Sequence, residues 1–216
     1  VKATDLAGNV SVTVTSDSVT VDTDGPIAGS VTDSSSTDLD WTNSTSTLTG
    51  VWSGFIDGLS GINKYEYAIG TTSGGTDVVT WTDNSTATTV TKTGLNEFMT
   101  NGTTYFVSVR ATDNVGNIST TATSDGITVD TDVPVISSVV EGSLTADVDY
   151  QNYSDSLIIS WTGIDSASGI SVYEYTLGTY SGGTETIDWT SVGTATADTI
   201  SNLNLNEGIT YYLSIR

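Results

Sequence analysis

The sequence predicts an all-β protein built as tandem seven-stranded β-sandwiches, and three observations carry that reading. The polar part of the chain is dominated by Thr, Ser, Gly, Asp and Asn, with five Lys plus Arg and two Pro. Thr suits a half-exposed strand face and the others suit turns, while the residues that build helices are scarce. Apolar residues alternate with polar ones at a period of two over short runs bounded by turn clusters. Finally, the chain repeats itself: VKATDLAGNVSVTVTSDSVTVDTDGP (1–26) returns as VRATDNVGNISTTATSDGITVDTDVP (109–134), a shift of 108 residues.

The shift of 108 residues also carries YEYAIGTTSGGT (65–76) onto YEYTLGTYSGGT (173–184) and Trp81 onto Trp189. Trp52 pairs with Trp161 after a slip of one residue, and Tyr105 with Tyr211 after two deletions. Slips confined to loops are what a folded repeat tolerates. Within one unit, strands are predicted near 27–33, 46–53, 63–70, 77–82, 86–93, 103–111 and 118–129. The clusters FIDGLSG, TTSGG, TDNS, NEFMTNG and DNVGN divide them. The period places Leu48, Gly50 and Trp52 on one face and Tyr105, Val107 and Val109 on another. Trp52 is large enough to bridge two sheets, and its indole N–H is expected to need a partner.

The organisation expected from the repeat is a terminal strand of a preceding module (1–21), a complete module (22–129) and a second module lacking its last strand (130–216). Two explanations of that cut stand side by side: an excerpt of a longer array, or a polymer in which residues 1–21 complete the 130–216 sandwich of a neighbour.

Composition excludes several functions. The formal net charge of −21 repels phosphate backbones and anionic headgroups, against nucleic-acid binding or direct membrane insertion. With no Cys, disulfides, thiol catalysis and thiolate metal sites are absent. With no His, the commonest general base and transition-metal ligand is missing. A carboxylate pair remains the one catalytic route, but the acidic residues recur with the repeat, which suits a junction and not a unique active site. The reading is therefore non-enzymatic.

Seven antiparallel strands bring the start of the unit and the loops FIDGLSG and DNVGN to one pole. There Asp22 and Asp24 stand two apart in an extended linker, with Asp57, Asp113 and Asn117 in the loops. The second copy offers Asp130, Asp132 and Asp165, and the segment before the first unit offers Asp5 and Asn9. Carboxylates converging without a Lys or Arg repel one another unless a cation lies among them, and Ca²⁺ takes such oxygens with flexible geometry. The other reading is that Asp and Asn in these loops are turn formers on an acidic surface.

Trp52 late in its strand, Tyr65-x-Tyr67, Leu95 and the run Thr103-x-Tyr105-x-Val107-x-Val109-x-Ala111 resemble fibronectin type III, an immunoglobulin-like sandwich. That resemblance makes Tyr105 the residue whose hydroxyl anchors the corner before its strand. The endings ATD-x-x-GN-x-S and VDTD-x-P resemble the bacterial Ig-like repeats of large surface adhesins, which implies Ca²⁺ at interdomain linkers. Fibronectin modules lack that linker, and no RGD occurs here. The function expected is an extracellular, cell-surface structural spacer, stalk or filament segment whose partners are neighbouring repeats. The alternative is a glycan- or protein-binding adhesive module, or an accessory domain of a polysaccharide-degrading enzyme.

Smaller features carry less. Trp41 and its counterpart Tyr150 could stack on a sugar or pack on their own sandwich, and Trp81 and Trp189 are expected to cover a sheet flank. N-x-S/T sequons at Asn9, Asn43, Asn84, Asn101, Asn117 and Asn152 are expected by chance in a chain this rich in Ser and Thr.

Overall fold

A computed structural model describes residues 1–35, 37–142 and 146–216, and among them there is no helix. Fifteen strands follow in order: β1 (Ser30–Thr32), β2 (Trp41–Thr42), β3 (Thr47–Ser53), β4 (Ile62–Gly70), β5 (Val79–Asp83), β6 (Thr89–Thr93), β7 (Thr104–Asp113), β8 (Ala122–Thr123), β9 (Ile127–Val129), β10 (Val135–Glu141), β11 (Ser156–Ile164), β12 (Glu174–Gly178), β13 (Ile187–Ser191), β14 (Ala197–Ser201) and β15 (Tyr212–Ile215). The strands up to β9 form one sheet in the order β1-β3-β6 and another in the order β2-β9-β7-β4-β5, with β8 also on β7. The later strands form β10-β11-β14 and β13-β12-β15. Residues 1–21 contribute no strand.

By contact the chain divides into two units, Val1–Ser35 with Thr49–Val90 and Phe106–Asp125, and Ser36–Leu48 with Thr91–Tyr105 and Gly126–Arg216. In the first unit the aromatic core is a cluster of Trp52, Phe55 and Tyr65. The Tyr65 ring meets Trp52 at 5.8 Å and Phe55 at 5.5 Å, both edge-on. This geometry joins β3 to β4, strands of different sheets, as a sandwich requires. In the second unit the core gathers Leu157, Ile159 and Trp161 from β11, Tyr173 and β12's Tyr175 and Leu177, and Ile200 from β14. Trp161 meets Tyr173 at 5.8 Å edge-on, so the aromatic pair recurs with the repeat.

The alternation read from the sequence is the alternation observed. Leu48 and Trp52 are buried on β3, and Tyr105, Val107, Val109 and Ala111 are buried on β7. Two expectations need correction. The strand predicted over 118–129 is broken into β8 and β9, because Gly126 takes a φ of 104° that turns the chain between them. The indole nitrogens of Trp52 and Trp161 are buried without a hydrogen-bond acceptor. Ring packing and the burial of a large apolar area outweigh that loss.

The loop TTSGG (71–75), which returns as TYSGG (179–183), has a close-approach reason. A Cβ on Gly70 would stand 2.4 Å from the backbone of Gly75, and one on Gly178 would stand 2.5 Å from that of Gly183. The turn returns so tightly on the strand that only hydrogen fits, and it does so in both copies.

Candidate functional site: an acidic cluster at the linker

The linker carboxylates are placed by local backbone chemistry. The alternation that buries Tyr105, Val107, Val109 and Ala111 continues to Asp113, which ends β7 at 0% exposure. Its Oδ1 accepts the N–H groups of Val115 (3.0 Å), Gly116 (2.6 Å) and Asn117 (2.8 Å). Its Oδ2 accepts the Asn117 side-chain amide at 2.8 Å. Burial works to raise the Asp113 pKa, but these hydrogen bonds outweigh it and hold the carboxyl below its ordinary value of 3.8. DNVGN is therefore a loop wound around one carboxylate. The same winding recurs in the exposed segment, where Asp5 accepts from Ala7, from Asn9 and from the Asn9 amide.

Asp57 organises the second loop in the same manner, its Oδ1 accepting the N–H groups of Leu59 at 3.2 Å and Gly61. The two loops are laced together by Asn114, whose amide donates to the carbonyls of Ser60 (2.7 Å) and Gly61 (3.1 Å). The segment 22–24 joins them through Asp22, whose Oδ2 accepts the Ser60 N–H at 3.1 Å. As a result, one carboxylate oxygen from each of Asp22, Asp57 and Asp113 lies within 4.8 Å of the others.

The ion pairs among the described residues are Lys64 with Glu66 and Asp83, Arg110 with Glu66, and Arg216 with Glu174, so no cationic side chain answers the three carboxylates. Asp24 stands outside the trio. Its N–H bonds Asp22 Oδ1 at 3.3 Å and its carbonyl faces the Asn117 amide at 3.3 Å. Asn117 turns its nitrogen toward the carbonyls of Asp22 and Asp24 and toward Asp113 Oδ2, so it braces the linker against the loop. These are hard oxygen groups from three segments, a donor set that fits Ca²⁺ and does not fit a soft transition metal.

The second copy repeats the first two parts of this arrangement. Asp130 Oδ2 accepts the Ser168 N–H at 3.0 Å, as Asp22 does from Ser60, and Asp165 Oδ1 accepts from Ala167 (3.2 Å) and Gly169 (2.8 Å). Hydrogen bonds from Ser168 hold the Asp130 carboxyl below its ordinary value, burial opposing them.

Asn101 is the residue that sequence reasoning passed over as a chance sequon. Its Oδ1 accepts the Thr131 N–H at 2.9 Å and its amide donates to Asp132 Oδ2 at 3.0 Å. The Asp130 N–H meanwhile bonds the Thr42 carbonyl at 2.8 Å. The DTD segment 130–132 is thus tied on both sides, by Thr42 and Asn101 before it and by Ser168 after it. The signal in the sequence was an Asn-Gly pair closing the NEFMTNG loop, which marks a turn but not its partner.

The expected corner is also present. The Tyr105 hydroxyl donates to the Phe98 carbonyl at 2.6 Å and accepts the Thr100 N–H at 3.0 Å. Trp81 lies under the Arg110 guanidinium at 4.4 Å, and Trp189 under Arg216 at 4.1 Å.

No protein-family model matches the sequence, and no curated protein does. Among solved structures the chain is similar to the FN1–FN3 domains of chicken CNTN1, at 18% identity and a TM-score of 0.41 over 88% of this chain and 62% of that one. It is also similar to a structure described as a Ca²⁺-stabilized adhesin that helps an Antarctic bacterium reach out and bind ice. That match has 17% identity and a TM-score of 0.37 over 99% of this chain and 53% of that one. The chain thus spans less than two thirds of the length of either structure.

Proposed function

We propose that the chain is a structural spacer of an extracellular, adhesin-like repeat array, with Ca²⁺ fixing its linkers. The observation that carries this reading is the convergence of Asp22, Asp57 and Asp113 within 4.8 Å, with no Lys or Arg among them. Asp22 belongs to the linker, whereas Asp57 and Asp113 belong to loops of the sandwich that follows it. A cation held by all three would convert a flexible joint into a fixed one, neutralising charges that otherwise push the linker away. In the second copy Asp130 and Asp165 are the matching ligands, and Asp132 is held by Asn101. The segment Asp5–Asn9 has the fold of the third ligand loop and would supply the same group to a sandwich that receives it.

The role is mechanical and not catalytic. The acidic groups repeat with the unit, and stiffness summed over units is what a stalk needs. Calorimetric titration with Ca²⁺, run beside thermal melts in Ca²⁺ and in chelator, tests it. Heat of binding together with a raised melting temperature is expected, and an unchanged melt in millimolar Ca²⁺ would sink the reading. A second reading, a glycan-binding adhesive module, has one feature in its favour: Tyr150 stands 93% exposed. A glycan array at high protein concentration separates the two.

A further inference from the structure

Asn101 is the one asparagine of the sequence that is followed by glycine, and two separate demands of the fold create that pair. The turn closing the NEFMTNG loop holds Gly102 at a φ of 76°, a conformation that favours glycine. The segment 130–132 needs the amide before it. Asn101 Oδ1 accepts the Thr131 N–H at 2.9 Å, and its side-chain nitrogen donates to Asp132 Oδ2 at 3.0 Å. Together these demands set a carboxamide beside an unshielded backbone nitrogen, since a Cβ placed on Gly102 would meet nothing within 4 Å.

Such a pair carries its own chemistry. The Gly102 nitrogen, on losing its proton, attacks the Asn101 Cγ. An N–Cγ bond closes a five-membered succinimide, the Cγ–Nδ2 bond breaks, and ammonia leaves with the proton that Gly102 gave up. Water then opens the ring, restoring the Gly102 N–H and leaving a carboxylate at 101 on a normal or an isomerised backbone. In the docked arrangement both reacting groups are engaged elsewhere. The Gly102 N–H donates to the Val129 carbonyl at 2.8 Å, while the amide holds Thr131 and Asp132. The attack needs the N–H released and the amide turned, so it runs from a locally open state.

We infer that Asn101 is a self-guarded modification site: the docked segment 130–132 protects it from deamidation, and deamidation releases that segment irreversibly. The product reverses the contact. A carboxylate at 101 has no proton to give Asp132, so two anions face each other where an amide faced one. An isomerised backbone would also lengthen the turn that positions the group. This goes beyond the cation reading and needs no metal.

Ageing the full chain in chelator at mildly alkaline pH, folded and in urea, tests the guard. Peptide mass mapping reads the change from amide to carboxylate. Isomerisation at Asp24, Asp57 or Asp125, each followed by glycine, leaves the mass unchanged and does not interfere. In urea Asn101 should convert fastest of the asparagines, with Asn206, followed by Glu207 in the matching loop, lagging behind it. In the folded chain Asn101 should slow by roughly 10- to 1000-fold, three bonds each holding about a factor of 2 to 10. Asp132→Ala, a change at an exposed residue, should speed conversion of the folded chain by about 2- to 10-fold and leave the rate in urea unaltered. Asn101→Asp imitates the product. Hydrogen exchange should show its Thr131 amide opening about tenfold faster, with the Trp161 amide, bonded to the Thr196 carbonyl at 3.0 Å, unchanged.

Equal rates in the folded chain and in urea would overturn the proposal. So would an Asp132→Ala chain that converts no faster than its parent, or Thr131 exchange that Asn101→Asp leaves as it was. None of these readouts involves a cation, so the result stands apart from the Ca²⁺ titration.

Discussion

Replacing Tyr105 with Phe removes one oxygen from a fully packed position. The ring is 1% exposed and would keep its place, so no cavity forms beyond that atom. What is lost is a donation to the Phe98 carbonyl at 2.6 Å and an acceptance from the Thr100 N–H at 3.0 Å. Each net hydrogen bond stabilises by about 0.5–1.5 kcal/mol, and a buried group left unpaired costs about 1–3 kcal/mol. Two bonds lost at a partly buried corner therefore predict a destabilisation of roughly 2–3 kcal/mol. The repeat supplies an internal comparison. Tyr211 accepts the Asn206 N–H at 3.0 Å and is half-buried, so Tyr211→Phe should cost about half as much, near ~1 kcal/mol. Urea unfolding should show the midpoint falling with an unchanged slope. Hydrogen exchange should show the Thr100 amide opening faster in Tyr105→Phe. If Tyr105→Phe lies within about 0.5 kcal/mol of the parent, the level of an ordinary surface change, the corner is not the anchor the geometry describes. A larger loss in Tyr211→Phe would refute the argument from burial.

Three further outcomes follow from the linker and the strands. Saturating Ca²⁺ at a hundred times Kd should stabilise the folded chain by about 2.7 kcal/mol, and Asp57→Asn should abolish most of that gain; differential scanning calorimetry reads both. The depressed Asp113 carboxyl contributes stability that is complete above its ordinary value of 3.8 and is lost as pH falls through the lower folded value. Urea midpoints measured from pH 5 down to 2 should therefore fall with pH, and Asp113→Asn should flatten that slope. Gly70→Ala forces a Cβ to 2.4 Å from the Gly75 backbone and should destabilise by about 1–3 kcal/mol. Gly178→Ala should do the same in the second copy, checked by thermal melts.

The strands were legible because their signal is local. A period of two decides which side chains are buried, and turn clusters decide where the chain reverses, so β3, β4 and β7 fall close to the predicted bounds. β2 was not legible. Trp41–Thr42 is two residues long and pairs in parallel with Ile127–Val129, a partner far away in sequence that no local pattern indicates. The break at Gly126 was hidden because a glycine's φ depends on what the neighbouring strand requires. In the site, Asp22, Asp57 and Asp113 were legible from topology alone, since antiparallel strands sort their loops to two ends. The roles of Asn117 and Asp24 were not, because the direction of an amide is decided by which oxygens surround it. Asn101 escaped for the same reason: its two partners, Thr131 and Asp132, lie in the linker that it ties down.

The stacking of Arg110 on Trp81 and of Arg216 on Trp189 has a consequence for how separate chains meet. Both guanidinium groups are also paired with Glu66 or Glu174, and Lys64 lies between Glu66 and Asp83. Three of the five cationic side chains are therefore spent inside their own sheets, and a chain of net charge −21 presents a field of nearly one sign. Identical flanks approaching in physiological salt feel that field over about 8 Å. Copies of this chain are expected to stay apart in dilute buffer and to approach flank to flank only where added salt collapses the counterion cloud between them.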